Sequence, residues 1–338
     1  MTGFRILSLP TLALQATLEL LDPFELFNLS QCSRKSAQIV PIGGSKKYEM
    51  VLAGGRSGRI LINQTYTFKV VSMKHFKRCG LIGTRMFPID NGNIVEVHMA
   101  RHHKKENRRI FFFDDSFFGR QIVIFHLAKV FGCNVKSIDT GRKLPTENFR
   151  KMIEWTIEKQ QEIRELNICS QFISENDLKF ALDSLPVLDS CSCTLKTSSE
   201  FQYEFKTHPK ALSVFKSHWF NLKNLLAAAK SCIVIHLTCS KLSNEDIDVF
   251  LKSWTNGGFP NLQFMQVLSD NFNKKDKILG RKPTRMKNPT EGARKEREIL
   301  NHIVGIHSGL RIQAIDGAEA EVKMKLDRFG DEFIFYKL

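Results

Sequence analysis

Ile233-Val234-Ile235-His236-Leu237, then Ser243-Asn244-Glu245-Asp246, then Ile247, Phe250, Leu251 and Trp254, then Gly257-Gly258-Phe259-Pro260-Asn261: these residues place a strand, a capped helix and a turn in succession. Ile233, Ile235 and Leu237 alternate with other residues as a half-buried strand requires. Ser243 stands where a hydroxyl can accept from an early helical N–H, and Asp246 three residues on can reach back to the cap and favour the positive helix end. Ile247, Phe250, Leu251 and Trp254 then follow the i, i+3, i+4, i+7 template of a single buried stripe. The Gly-Gly-Phe-Pro-Asn turn stops the helix and feeds Leu262 to Val267, the next strand.

The unit recurs upstream. Strand starts fall near Val135, Ile163, Cys191, Ile233 and Leu262, spaced roughly 28, 28, 42 and 29 residues apart and so close to the period of leucine-rich-type repeats. The longer interval implies an insertion around Phe201 to Pro209. Leu178, Ala181, Leu182 and Leu185 match the helical template, as do Leu222, Leu225, Leu226 and Ala229, and Ser174 to Asp177 opens its helix as Ser243 to Asp246 does. Thr146, after Pro145, is expected to cap a helix through Phe149, and Trp155, Trp219 and Trp254 are expected on helices, facing the core. Each strand-helix unit leaves an apolar face open, so stacking must bury it.

Outward from this region the texture changes on both sides. Downstream, Lys274, Lys275, Lys277, Arg281, Lys282, Arg285 and Lys287, with Gly280, Pro283 and Pro289, read as a mobile basic loop. A helix near Glu291 to Ile303 and closing strands at Leu310 to Ile315, Ala320 to Leu326 and Glu332 to Tyr336 follow. Upstream, Tyr48 to Phe113 is hairpin texture, short alternating runs separated by Gly, Asn and Asp. A second basic run, Arg101 to Arg109, lies within it. The first 40 residues are helical, interrupted at Asp22-Pro23 and stopped by Pro41 to Ser45.

Composition narrows the function. A chain of 338 residues with 42% hydrophobic content can fill two or three cores. No stretch of 18 apolar residues runs uncharged and no signal peptide is visible, so an intracellular protein, cytoplasmic or nuclear and without a membrane span, is expected. Eight scattered cysteines, with no Cys-x-x-Cys pair, read as reduced, mostly buried thiols without a metal. The net charge of +15 is concentrated in the two basic runs. Gly54 to Gly58 lacks the residues of a phosphate loop and reads as a hairpin turn; His98, His102 and His103 lack a metal-site pattern. Asp114-Asp115 and Glu319 with Glu321 have no nucleophile beside them, so no catalysis and no cofactor are expected.

Leu9-Pro10, Leu14, Leu18, Leu21-Asp22-Pro23, Leu26, Leu29-Ser30 and Ser33-Arg34-Lys35 resemble the F-box signature, with Thr17 and Ser36 departing from its usual aliphatic and aromatic residues. Trp219, Leu242 to Ile247, Phe250 to Trp254, Gly257-Gly258, Pro260 to Leu262 and Ile173 to Leu178 resemble the type-2 F-box-associated domain of an expanded nematode family. The resemblance implies a three-helix unit docking on the Skp adaptor, and through it on a cullin, through Leu9, Pro10, Leu14, Leu18, Leu21, Pro23, Leu26 and Leu29. The downstream domain would hold an unidentified protein substrate. Independently of the family, Leu14, Leu18 and Leu21 make one apolar helical face and Leu12 and Leu20 a second, more than a short helix hides by itself.

The expected architecture is α+β: a three-helix F-box (1–42), a strand-rich connecting region (45–131), an F-box-associated domain of leucine-rich-repeat-like strand-helix units (132–270), the basic loop (271–289), and a closing helix and strands (290–338). Asn167, Ser170 and His236 are the candidate substrate surface on the concave strand side. The alternative is a repeat-type binding module unconnected to ubiquitin, whose basic loop engages nucleic acid or an acidic protein. Nucleic-acid binding is the weaker expectation, and would fall steeply with salt.

Overall fold

The computed structural model describes residues 6–43, 48–54, 58–74, 83–88, 94–101, 108–273, 276–280, 295–300, 302–306, 310–325 and 331–338. Helices and strands are mixed throughout, and the chain divides into two compact units, Met1–Ile163 and Arg164–Leu338. The division falls inside the stretch 132–270 that the repeat spacing groups together.

The first unit opens with a 3-10 turn, Ile6–Ser8, and three helices, α1 (Thr11–Leu20), α2 (Pro23–Ser30) and α3 (Arg34–Ile39), closed by a 3-10 turn at Val40–Gly43. Among the described residues the strands β1 (Met50–Ala53), β2 (Arg59–Ile62), β3 (Tyr66–Ser72), β4 (Gly83–Pro88), β5 (Ile94–Arg101) and β6 (Arg108–Phe113) follow. Then come α4 (Ser116–Phe131), β7 (Val135–Asp139) and α5 (Thr146–Lys159). The strand order is β7-β1-β2-β3-β6-β5-β4, with β1 parallel to β7 and β3 parallel to β6.

Two local readings change here. Helix α4 lies inside the stretch 45–131 whose sequence reads as strand-rich, and it is apolar nearly all round: Ile122, Val123, Ile124, Leu127 and Val130 are all buried, which erases the amphipathic period. Thr146 is the first helical residue of α5 instead of its cap; Pro145 holds that position and gives no side-chain acceptor.

The second unit carries β8 (Ile163–Ile168), which starts at the division, then α6 (Glu175–Ser184), β9 (Val187–Cys193), β10 (Ala211–Phe215), α7 (Leu222–Ser231), β11 (Val234–Ser240), α8 (Asn244–Thr255) and β12 (Phe264–Ser269). Strands β9, β10, β11 and β12 are parallel and adjacent in chain order. Ser243 and Asp246 form the reciprocal capping box, and Ser174 accepts from the Asp177 amide. The hairpin β13 (Lys295–Ile299) with β14 (His302–Ile306) precedes β15 (Leu310–Gln313), β16 (Glu319–Lys325) and β17 (Asp331–Lys337), which extend the sheet antiparallel from β12.

The 42-residue interval conceals a strand. Residues 194–210 join β9 to β10 without a helix, and aromatic side chains cover the place one would take. Phe201 and Tyr203 are buried, with ring centroids 5.1 and 6.4 Å from Trp219. Trp219 therefore sits in the turn before α7, not on a helix as expected. Asn224 Nδ2 donates to the Tyr203 carbonyl at 3.1 Å and fixes this segment.

The helix expected between Glu291 and Ile303 is also absent where the residues are described: β13 and β14 occupy Lys295–Ile299 and His302–Ile306. Its Glu, Lys and Arg residues favour a helix locally, but pairing and burial override propensity. Ile299 is buried with Ala211, Val234, Phe264, Ile334 and Tyr336, and Leu300 turns the hairpin at φ 50°.

Among the described cysteines, Cys191, Cys193 and Cys232 are buried while Cys32 and Cys239 are exposed, all as free thiols. Burial pushes Cys193 up to about 11 and Cys232 up to about 12. A thiol held neutral in the fold but ionising near 9 when released contributes stability below that pH, and the contribution is lost as pH rises toward 12. At pH 8 a maleimide reagent is therefore expected to label Cys32 and Cys239 in the native protein, and Cys191, Cys193 and Cys232 only after denaturation; peptide mapping by mass spectrometry reads the result.

Candidate functional site

Leu9-Pro10 and Asp22-Pro23 have a local purpose before any partner is considered. Pro10 holds the N-cap of α1 in extended geometry, and its carbonyl accepts from the Leu14 amide at 2.8 Å. Asp22 Oδ1 accepts from the amides of Phe24 and Glu25 at 2.7 and 2.8 Å, and Glu25 Oε2 accepts from the Asp22 amide at 2.8 Å. Pro23 then occupies the first helical position, where its missing N–H costs nothing. Ser33 caps α3 by accepting from the Ser36 amide at 3.0 Å.

These caps set the three helices so that their leucines divide into two populations. Leu14 and Leu18 face inward, and so do Pro23 and Leu26; Leu9, Leu21 and Leu29 are half-buried, and Pro10 is exposed. Helix α1 rests on the Val40–Gly43 turn, so closely that a Cβ at Gly43 would collide with the Leu18 side chain. Helix α2 is built into the sheet behind it: Phe27 is fully buried, its ring centroid 5.6 Å from Phe68 and 5.7 Å from Phe111. His126 of α4 lies 5.6 Å from the Phe27 ring, and its Nε2 is 2.7 Å from Gln31 Nε2. Arg109 stacks 4.1 Å over Phe24.

What remains open is the opposite side of α1. Leu12 is 82% and Leu20 86% exposed, and Ala16 between them is exposed too. Spaced by four, these three form an i, i+4 ridge of the sort that fits a groove on another helix. Ile42, 43% exposed, is a further uncovered apolar residue in the same segment. Thr17 turns its hydroxyl back to the Ala13 carbonyl at 2.7 Å. The sequence shows both apolar faces of α1, but only packing reveals which one the chain covers itself.

Gly43→Ala is expected to separate α1 from the 3-10 turn. Overpacking of this kind costs about 1–3 kcal/mol, readable as a lowered urea midpoint with an unchanged m-value.

In the second unit, registry joins Ser192 to Ser213, Ser213 to His236, and His236 to Gln266. Parallel partners point to the same side, so these four lie on one face, and Leu212, Ile235, Leu237 and Met265 lie on the other, buried. Phe335, paired with Met265, meets Phe250 and Trp254 of α8 at 5.7 and 5.2 Å, which identifies that other face as the helix-covered one. On the first face His236 Nδ1 is 3.0 Å from Gln266 Oε1, and Gln266 Nε2 donates to Glu332. Ser192, His236 and Gln266 are half-buried, as is Asn167 on β8.

Ser170 departs from the expectation. It is fully buried, and its Oγ accepts from the Phe172 amide at 3.3 Å, shaping the loop after β8 while Phe172 itself is 54% exposed.

Residues 6–43 match the family model described as F-box domain, and residues 200–267 match the model described as F-box associated, of the second type. The chain carries both, in that order. The F-box match covers the three helices and both flanking 3-10 turns; the F-box-associated match runs from the aromatic segment before β10 into β12. Neither the comparison with curated proteins nor that with solved structures gives a match.

The other candidate groups settle locally. Asp115 caps α4 by accepting from the Phe117 amide at 2.8 Å, and Glu319 and Glu321 lie 4.0 and 3.7 Å from Arg311. Among the described residues no group of three His, Cys, Asp or Glu side chains could hold a metal, and no helix is long and apolar enough to cross a membrane. Most of the basic loop (274–275 and 281–287), His102 and His103, Gly55 to Ser57 and Cys79 lie outside the described residues.

Proposed function

We propose that this chain is a non-catalytic substrate adaptor of a Skp-cullin-F-box ubiquitin ligase. Its F-box would dock on a Skp adaptor inside the cell, and its second unit would hold a protein substrate. The observation that carries the reading is the uncovered ridge Leu12-Ala16-Leu20 within a segment matching the F-box. A short helix that buries Leu14 and Leu18 at home and leaves two whole leucines in water has surface that a partner can profitably cover.

The buried leucines have a different place in this reading. Leu14, Leu18, Pro23 and Leu26 set the angle of the helices, and Leu9, Pro10, Leu21 and Leu29 would border the contact. Substitution of Leu14 consequently tests folding, whereas substitution of Leu12 and Leu20 tests docking.

For the substrate we propose the strand face opposite the helices, used as the inner face of leucine-rich-like units. The proposed surface takes in Ser192, His236 and Gln266, which share one face by register, together with Asn167 on β8. The row is polar and half-buried beside the patch that Ile299 of the β13–β14 hairpin covers on the same face, and half-buried polar groups of this kind suit selective hydrogen bonding to a peptide surface. Crosslinking through a photoreactive residue at Asn167, followed by mass spectrometry, tests it. Substrate crosslinks from Asn167 but not from Glu154 on α5 support the assignment, and the reverse pattern overturns it.

A further inference from the structure

Helices α4 and α5 flank a half-open cavity of about 310 Å3. Leu52 of β1 and Val135 of β7 line it, with Ile124 and Ala128 from α4 and Met152 and Trp155 from α5. Its volume is at the lower end of the roughly 300–1,000 Å3 range that small ligands occupy.

The walls are held in place by the chain's own bonds. Gln160 uses both ends of its amide on Val135: Oε1 accepts from the backbone N–H at 2.9 Å and Nε2 donates to the carbonyl at 2.8 Å. Thr156 donates to the Met152 carbonyl at 2.8 Å. Trp155 is steadied by Phe117, ring centroids 4.5 Å apart. Such a site needs little ordering when something enters.

Two lysines, Lys129 and Lys159, complete the lining, and among the described residues no carboxylate is part of it. Lys159 Nζ lies 4.7 Å over the Phe125 ring and 3.0 Å from the Glu158 carboxylate, an exposed ion pair whose acidic member is not part of the lining, and Lys129 is the second cation at the margin. Apolar walls with a cationic margin match an amphipathic anion in shape and sign. We propose that this cavity binds a small organic carboxylate whose apolar body, of medium-chain fatty-acid size, sits between α4 and α5 while its head lies toward Lys129 and Lys159.

The test titrates the full-length protein with the fluorescent probe 8-anilinonaphthalene-1-sulfonate and then displaces the probe with decanoate or with decanol. Saturable displacement by decanoate, with decanol much weaker, is expected. Ala128→Phe fills the cavity and should abolish displacement. Lys129→Gln and Lys159→Gln, whose side chains reach solvent, should each weaken decanoate about fivefold, the equivalent of about 1 kcal/mol for a solvent-exposed ion pair. If Ala128→Phe proves unfolded by circular dichroism, the lysine variants decide. Failure of decanoate to displace the probe, equal displacement by decanol, or full affinity in the double lysine variant overturns the proposal.

Discussion

A variant carrying Leu12→Asp and Leu20→Asp is expected to lose Skp-adaptor binding by about a thousandfold while unfolding at nearly the wild-type temperature. Both leucines are more than four-fifths exposed, so the folded chain gives up almost no packing when they change. In a complex they would be the buried apolar anchors, each contributing about 2 kcal/mol, and together about 4 kcal/mol, three decades in affinity. Carboxylates add the cost of desolvating a charge in an apolar groove. Calorimetry with purified Skp paralogues measures the loss, and a melting curve shows whether the fold survived. Undiminished binding by the variant would remove the ridge from the interface.

Phe27→Ala is expected to act in the opposite way, through stability. The ring is wholly enclosed and touches Phe68, Phe111 and His126, which come from β3, β6 and α4. Its removal leaves a cavity at the place where the F-box helices join the sheet, and Phe→Ala in such a site costs about 3–5 kcal/mol. A domain of ordinary stability has only about 5–15 kcal/mol, so much of the margin goes. The same contacts explain why a fragment ending at residue 43 should fail to hold α2 in place: the aromatic residues that cover it lie beyond its end. Urea denaturation of the full chain reads the first effect, and the amide spectrum of the fragment reads the second.

Much of this architecture is legible in the residues because local chemistry repeats. Ser174 and Ser243 announce their helices through a cap that the structure reproduces, and Asp22-Pro23 does so with both halves of a capping box. Other elements are hidden for identifiable reasons. Strand β10 has no helix before it, so the strand-helix period skips over it, and the aromatic cluster around Trp219 that replaces the helix has no sequence period at all. Residues 295–299 are rich in helix-forming side chains, yet pairing with β14 and burial of Ile299 decide their form. Helix α1 illustrates the limit most directly: spacing yields two apolar stripes, but the burial of Leu18 depends on a glycine 25 residues away, Gly43, which no local pattern connects to it.

The same separation governs the candidate sites. His236 and Asn167 could be placed on a strand face from alternation, whereas Ser170 stands where alternation ends and a turn begins, so its burial was not readable. The row from Ser192 to Gln266 required the registry of four strands, three of which start two or more residues from where sequence alone put them or were not visible in it.

Affinity purification of the intact protein from its native cells tests the central claim most directly. The adaptor reading predicts that a Skp paralogue and a cullin are recovered with the wild type and lost with the Leu12→Asp, Leu20→Asp variant. Recovery of neither by a folded wild-type protein, or of both by the double variant, would contradict it.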